Sequence, residues 1–173
     1  MTYAKSGWYT NTILAMMEAS STTGTGGLNL SLDTWYVSLL TWPGSLADGS
    51  SPVQFQTTTQ GWVATFENTG TGWVTGGVSL HTAAAAGGSV TPTVTLGGSS
   101  PYYVQYSWTN PLAVPSTTLT GAGGCIIYAQ PLSAPVSKPM VLSLCFGSAY
   151  STTNGVFGIT PSGSGLSQLT LTQ

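Results

Sequence analysis

The sequence predicts an all-β protein, an antiparallel β-sandwich of jelly-roll-like form with one short N-terminal helix. Short runs of aromatic and β-branched residues recur along the chain, and turn signals separate them roughly every 8 to 15 residues. Such spacing favours antiparallel strands over alternating β-α-β units. A length of 173 residues is that of one ordinary domain with a substantial core.

The first predicted element is the helix, at residues 8–20. This stretch carries apolar residues without an intervening Gly or Pro, and Thr10 or Asn11 can cap its start. The Gly-rich stretch 20–27 ends the pattern and predicts a flexible loop. We therefore divide the chain into an N-terminal helix with a Gly-rich hinge, residues 1–27, and a single β-sandwich domain, residues 28–173.

The remaining elements are predicted strands, each bounded by turn residues. Four Ala in 81–92 lack a periodic apolar partner, so that segment is predicted to be a loop. Gly76 and Gly77 fall inside a predicted strand and indicate a bulge or a close approach between backbones. The predicted strands are 28–32, 34–42, 53–57, 61–66, 72–80, 93–96, 102–108, 124–128, 140–146, 156–159 and 166–171.

Charge is nearly absent from the chain. Charged residues make up 3% of the sequence, with two Lys and no Arg, where about 25% is usual. Polarity comes instead from 28 Thr and 22 Ser. Two lysines cannot neutralise a nucleic acid backbone or hold an anionic lipid surface, so neither partner is expected. A net charge of −2 gives weak self-repulsion and indicates a protein that lives in an assembly.

The residues that usually carry chemistry are few and scattered, and we predict no enzyme, cofactor or metal. The four carboxylates, Glu18, Asp33, Asp48 and Glu67, each have a turn, helix or surface role available. His81 has no neighbour at metal-ligand spacing.

Cys125 and Cys145 lie in apolar strands, where a thiol behaves as a small buried hydrophobe. We favour reduced thiols. The alternative, a disulfide between the two cysteines, requires that their strands be neighbours.

Six tryptophans are many for this length, and two interpretations compete. Exposed Trp62, Trp73 or Trp108 would suit stacking on sugar rings. Aromatic residues also fill cores and subunit interfaces, and we favour an interface. The predicted contact residues are Trp8, Tyr9, Ile13, Trp62 and Trp73.

The order of motifs resembles a family of tailed-phage virion proteins. The resemblance spans residues 8–171 and rests on six pieces that follow the N-terminal helix. They are Leu32-Asp-Thr-Trp-Tyr-Val-Ser-Leu-Leu40, Gly72-Trp-Val-Thr-Gly-Gly77, Cys125-Ile-Ile-Tyr128, Lys138-Pro-Met-Val-Leu-Ser-Leu-Cys-Phe-Gly147, Asn154-Gly-Val-Phe-Gly-Ile159 and Gly165-Leu166.

The resemblance implies a non-enzymatic structural protein of the virion. We expect a capsid decoration, or cement, protein on the outer head surface, made in the host cytoplasm. Its expected partner is the major capsid protein, and its expected state is a homotrimer. A phage tail or fibre component that contacts the host, and a carbohydrate-binding module, remain alternatives.

Overall fold

The computed structural model describes residues 7–8, 35–41, 66–80, 92–98, 102–108, 112–129, 140–161 and 167–171. Within these ranges there is no α-helix, and the regular structure is β-strand. The strands are β1 (Gly7–Trp8), β2 (Trp35–Thr41), β3 (Val78–Ser79), β4 (Pro92–Gly97), β5 (Tyr102–Trp108), β6 (Leu112–Ala129), β7 (Met140–Ile159) and β8 (Ser167–Leu171).

The strands form two antiparallel sheets. A five-stranded sheet has the order β1-β7-β6-β2-β3, and a three-stranded sheet has the order β4-β5-β8. Every pairing is antiparallel, which confirms the predicted all-β antiparallel class. The predicted helix at 8–20 meets a strand at its first residue, because Trp8 pairs with Leu142 in β1. Residues 9–20 lie outside the described residues, as does most of the predicted 1–27 segment.

Both faces of the five-stranded sheet are buried at its centre. Side chains alternate across a strand, so β2 and β6 each contribute to two apolar clusters. The larger cluster includes Trp35, Val37, Leu39, Cys125 and Ile127, and the smaller includes Leu40, Ile126, Tyr128 and Met140. Tyr106 and Trp108 of the three-stranded sheet belong to the larger cluster, so the two sheets share one core.

The β6–β7 pair is the longest structure described, and its pairing runs from Leu112–Ile159 at one end, called here the open end of the hairpin, to Tyr128–Met140 at the other. Its open half is irregular, with four successive register shifts between Val114 and Gly124. Each shift contains one residue of positive φ, and these residues are Ser116 (52°), Gly121 (74°), Gly147 (77°) and Asn154 (47°).

The shifts are β-bulges that alternate between the two strands. On β6, the pair 115–116 stands opposite Val156, and the pair 120–121 stands opposite Ser151. On β7, the pair 153–154 stands opposite Thr118, and the four residues 146–149 stand opposite Gly123. A bulge bends its strand and increases the local twist, so the open half of the hairpin departs from a flat ribbon.

Hydroxyl groups bond the backbone at three of these bulges. Thr118 Oγ1 accepts the Asn154 backbone N–H at 2.8 Å, and Ser151 Oγ accepts the Gly121 N–H at 3.0 Å. In both cases the residue facing the bulge supplies the acceptor. Thr117 Oγ1 donates to the Val114 carbonyl at 2.8 Å, across the third bulge. Short hydroxyl side chains thus replace ladder hydrogen bonds that the bulges interrupt.

The Gly76-Gly77 pair forms a turn before β3 rather than a bulge within one strand. Both glycines have positive φ, and the Gly77 N–H donates to the Val74 carbonyl at 2.9 Å. The predicted close approach is confirmed, because a Cβ on Gly77 would overlap the Val37 carbonyl oxygen. The turn therefore lets the 66–80 segment pack directly on β2.

Candidate functional site

The open half of the hairpin extends beyond the centre of its sheet. β2 pairs with β6 only from Ala122 to Ala129, so residues 112–121 have β7 as their strand neighbour among the described strands. Opposite them, β7 is largely exposed from Gly147 to Val156. Two large apolar side chains stand out there, with Tyr150 50% exposed and Val156 65% exposed.

A row of aromatic rings leads from the core to this exposed face. The Trp73 and Phe157 rings meet edge to face with their centroids 5.9 Å apart. Phe146 lies 6.4 Å from Phe157 and 6.1 Å from Tyr150, again by ring centroids. Trp73 is 1% exposed and Tyr150 is 50% exposed. The exposed ring of Tyr150 therefore packs on half-buried Phe146, which in turn contacts buried Phe157.

An open groove of about 460 Å³ runs beside this row. Its described lining comes entirely from β7 and the residue after it. These lining residues are Phe146, Tyr150, Ser151, Thr152, Val156, Phe157, Gly158, Ile159 and Thr160. Because neighbouring residues of a strand point to opposite faces, a groove touched by the consecutive residues 156–160 lies along the strand edge.

The groove carries no charge on its described lining, which consists of aromatic, aliphatic, hydroxyl and glycine residues. Glu67 is the one acidic or basic residue within the described ranges. A lining of this composition can contact neutral groups through apolar surface and hydrogen bonds, which depend little on salt.

Glu67 has a structural partner in the 66–80 turn. Its Oε1 accepts the Gly76 N–H at 2.8 Å, and the Tyr128 hydroxyl donates to the Gly76 carbonyl. One carboxylate and one tyrosine therefore hold both backbone groups of Gly76. The second oxygen, Oε2, is buried and has no hydrogen-bond partner. With no second carboxylate in the described ranges, this arrangement provides no acid–base pair there.

Burial governs the titration of three groups in the two clusters. It raises the pKa of the Tyr128 hydroxyl above the usual 10.0, and repulsion from the Glu67 carboxylate adds to the effect. Burial alone raises the pKa of Tyr106 and of the Cys125 thiol. All three groups are therefore neutral at physiological pH, because removal from water disfavours their charged forms.

The predicted contact residues are placed as follows. Trp73 is buried in the larger cluster, so its side chain has no surface to offer a partner in this structure. Trp8 pairs through its backbone with the outer edge of β7. Tyr9, Ile13 and Trp62 lie outside the described residues.

Tyr150 and Val156, the large apolar residues that the groove exposes, are not among the contact residues predicted from the sequence. The sequence pattern places the segment 147–155 between two strands, so it gives no reason to treat these side chains as one surface. A local signal is nevertheless present, since Tyr150 and Val156 flank a run of small and polar residues without any charge.

The two cysteines are thiols that form no disulfide. Cys125 pairs with Leu144, and Cys145 pairs with Gly124, so the cysteines occupy adjacent positions on neighbouring strands. Their side chains belong to different clusters on opposite faces of the sheet. A disulfide between them is therefore excluded by direction, although the strands are neighbours. This resolves the alternative that the sequence leaves open.

No described helix is long and apolar enough to cross a membrane. No group of three metal-ligating residues occurs within the described ranges. Comparisons of the chain with models of protein families, with curated proteins and with solved structures found no match.

Proposed function

We propose that this chain is a capsid decoration protein of a tailed phage, a non-enzymatic subunit that binds the outer head surface and bridges major capsid subunits. The observation that carries the proposal is the uncharged, half-apolar edge groove of β7, with Tyr150 and Val156 exposed. Protein interfaces use aromatic anchors and lose charged residues at their centres. The motif order of tailed-phage virion proteins supplies the identity of the partner.

The proposed architecture is a two-layer, jelly-roll-like sandwich. It is supported by Tyr106 and Trp108, which come from the three-stranded sheet and pack in the same core cluster as β2 and β6. In such a body the exposed stretch of β7 from Gly147 to Val156 would be the surface that meets the capsid. Trimers at local three-fold positions would let each copy reach a different capsid subunit.

The proposed mechanism is mechanical. Each copy would bury the exposed stretch of β7 against capsid subunits, and many copies together would oppose the pressure of the packaged genome. Contacts made by hydroxyl, backbone and aromatic groups depend less on ionic strength than ion pairs do. A particle that passes through media of different salt would retain such contacts.

The second candidate is a tail or fibre component that contacts the host, for which the same groove would serve. Three tryptophans could stack on sugar rings in a carbohydrate-binding module, and two of them are buried. Trp73 is 1% exposed and Trp108 is 4% exposed, which weakens this alternative. Its third, Trp62, lies outside the described residues.

The test separates heads from tails in purified particles and counts copies of the protein against the major capsid protein. We expect hundreds of copies with the heads, as lattice coverage requires, and heads that lose them should break at lower temperature. A few copies that travel with tails would favour the second candidate. Absence from both fractions would reject a virion role.

A further inference from the structure

We infer that the outer edge of β7, between Tyr150 and Thr160, binds an extended, uncharged segment of a neighbouring virion subunit by strand addition. This inference rests on the proposed function and names the contact through which that function would act. The incoming segment would continue the five-stranded sheet at its β7 side. Its apolar side chain would enter the groove between Tyr150 and Val156.

The direction of the groove supports a strand as its occupant. The groove touches the consecutive residues 156–160, whose side chains point alternately to the two faces of the sheet. What they share is the backbone edge, and within this stretch Gly158 is exposed and carries no side chain. A partner in this position contacts backbone N–H and C=O groups, as in β-augmentation.

The same edge already accepts a strand elsewhere. β1 pairs with β7 at Leu142 and Ser143, on the side away from β6. It is the single described strand on that side, and it covers two residues of a strand of 20 residues. Among the described strands, none pairs with the rest of this edge. The backbone N–H and C=O groups of such an edge can pair with a strand from another chain.

The bulges limit where a partner can pair. The four residues 146–149 and the pair 153–154 disrupt β7 on either side of Tyr150. Beyond them, Phe157 to Ile159 pair with β6 in regular register. A strand added there has room for about five residues, roughly 16 Å. A short regular edge that ends at a bulge favours one specific partner over indiscriminate aggregation.

The chemistry of the lining selects the occupant. None of the described lining residues is charged, so a charged side chain entering the groove would lose its hydration without gaining a partner. The edge-to-face rings of Phe146 and Tyr150 offer contact to a branched aliphatic or aromatic side chain. The occupant is therefore an extended segment with apolar and hydroxyl side chains.

The test compares Val156→Lys with Val74→Lys in the full-length protein. The two valines are exposed to nearly the same degree, 65% and 62%, and only Val156 lines the groove. Both variants should fold with the thermal midpoint of the wild type. Added to heads stripped of the protein, Val156→Lys should bind at least about tenfold more weakly, and Val74→Lys should bind like the wild type.

A second measurement reports strand addition itself. Backbone amides of 156–160 should exchange with deuterium more slowly once the wild-type protein is bound to heads, while those of the β4 strand should not change. Equal binding of the two lysine variants, or unprotected amides at 156–160 in the bound protein, would overturn the inference and leave the decoration role intact. If the wild-type protein is absent from heads, the proposed function fails and this inference fails with it.

Discussion

The side chain of Thr118 accepts the backbone N–H of Asn154 at 2.8 Å, across the hairpin where two residues of β7 face one of β6. Ser151 and Gly121 repeat the relationship with the strands exchanged. These bonds give the Ser- and Thr-rich composition a structural role. At three of the four bulges, a hydroxyl bonds a backbone group that the bulge would otherwise leave unsatisfied.

Removing one of these hydroxyls should cost about 1 kcal/mol of unfolding free energy. We predict this loss for Thr117→Val, because Thr117 is fully buried and its hydroxyl donates to the Val114 carbonyl. The same change at exposed Thr120 serves as the control and should stay within about 0.5 kcal/mol of the wild type. Urea unfolding measures both, and equal costs would show that the bond across the bulge adds no stability.

Replacement by alanine should lower stability to different degrees at Gly77 and Gly121, although the two glycines have similar φ angles. Gly121 has a φ of 74° and open space where a Cβ would stand, so Gly121→Ala should cost only the backbone strain, about 1 to 2 kcal/mol. Gly77 has a φ of 75°, but its Cβ would meet the Val37 carbonyl. Gly77→Ala should therefore cost about 2 to 3 kcal/mol more. Similar midpoints for the two variants in urea would contradict the close approach of the turn to β2.

Stability should fall above about pH 9, as the usual titration range of thiols is reached, and more steeply above pH 10. The pKa values of Cys125, Tyr106 and Tyr128 are raised in the folded protein above the usual 9.0 and 10.0. The unfolded chain therefore loses these protons first, which favours unfolding by up to about 1.4 kcal/mol per group and pH unit. Below pH 9 the three groups are protonated in both the folded and the unfolded chain, so they cause no loss of stability there.

Tyr128→Phe isolates one of these groups. At neutral pH the variant should lose about 1 kcal/mol, because the hydrogen bond to the Gly76 carbonyl is removed. Above pH 10 its stability should fall less steeply than that of the wild type. Unfolding midpoints measured from pH 8 to 11 provide the comparison, and an unchanged alkaline slope would show that Tyr128 does not resist ionisation.

Trp73→Ala should destabilise the protein by about 3 to 5 kcal/mol, since it empties a core position beside Phe157. Trp73→Phe should cost markedly less, because it keeps a ring there and removes a buried indole N–H that has no hydrogen-bond partner. Thermal unfolding of both variants is the measurement. A Trp73→Ala protein with wild-type stability but weaker binding to heads would restore Trp73 as an interface residue.

Strand patterns with local signals are predicted well from sequence. β5 has the predicted bounds, and β2 and β4 differ by about one residue at each end, within the usual uncertainty of strand ends. The long hairpin is not predicted, because Pro115, Gly121 and Gly147 carry local signals for turns. In the fold they occupy bulges, and a bulge such as that of Gly121 is held by a bond to Ser151, 30 positions away. No short window of sequence contains both partners.

The contact surface is harder to predict for a different reason. Tryptophan is common in both cores and interfaces, and composition alone could not assign Trp73 to the core. Tyr150 and Val156 are exposed because of the course of the outer edge of β7. That edge is a property of sheet order, which depends on pairing between distant segments.

Two of the bulges cancel each other's effect on the register between β6 and β7. The additional residue on β6 at 115–116 is offset by the additional residue on β7 at 153–154, so Leu112–Ile159 and Leu119–Thr152 share one alignment. Deleting one residue from either strand would shift Leu112 and Val114 by one position against Phe157 and Ile159, while deleting one from each would restore the alignment. Over evolutionary time the two strands should therefore change length together, with each insertion tolerated only alongside its counterpart.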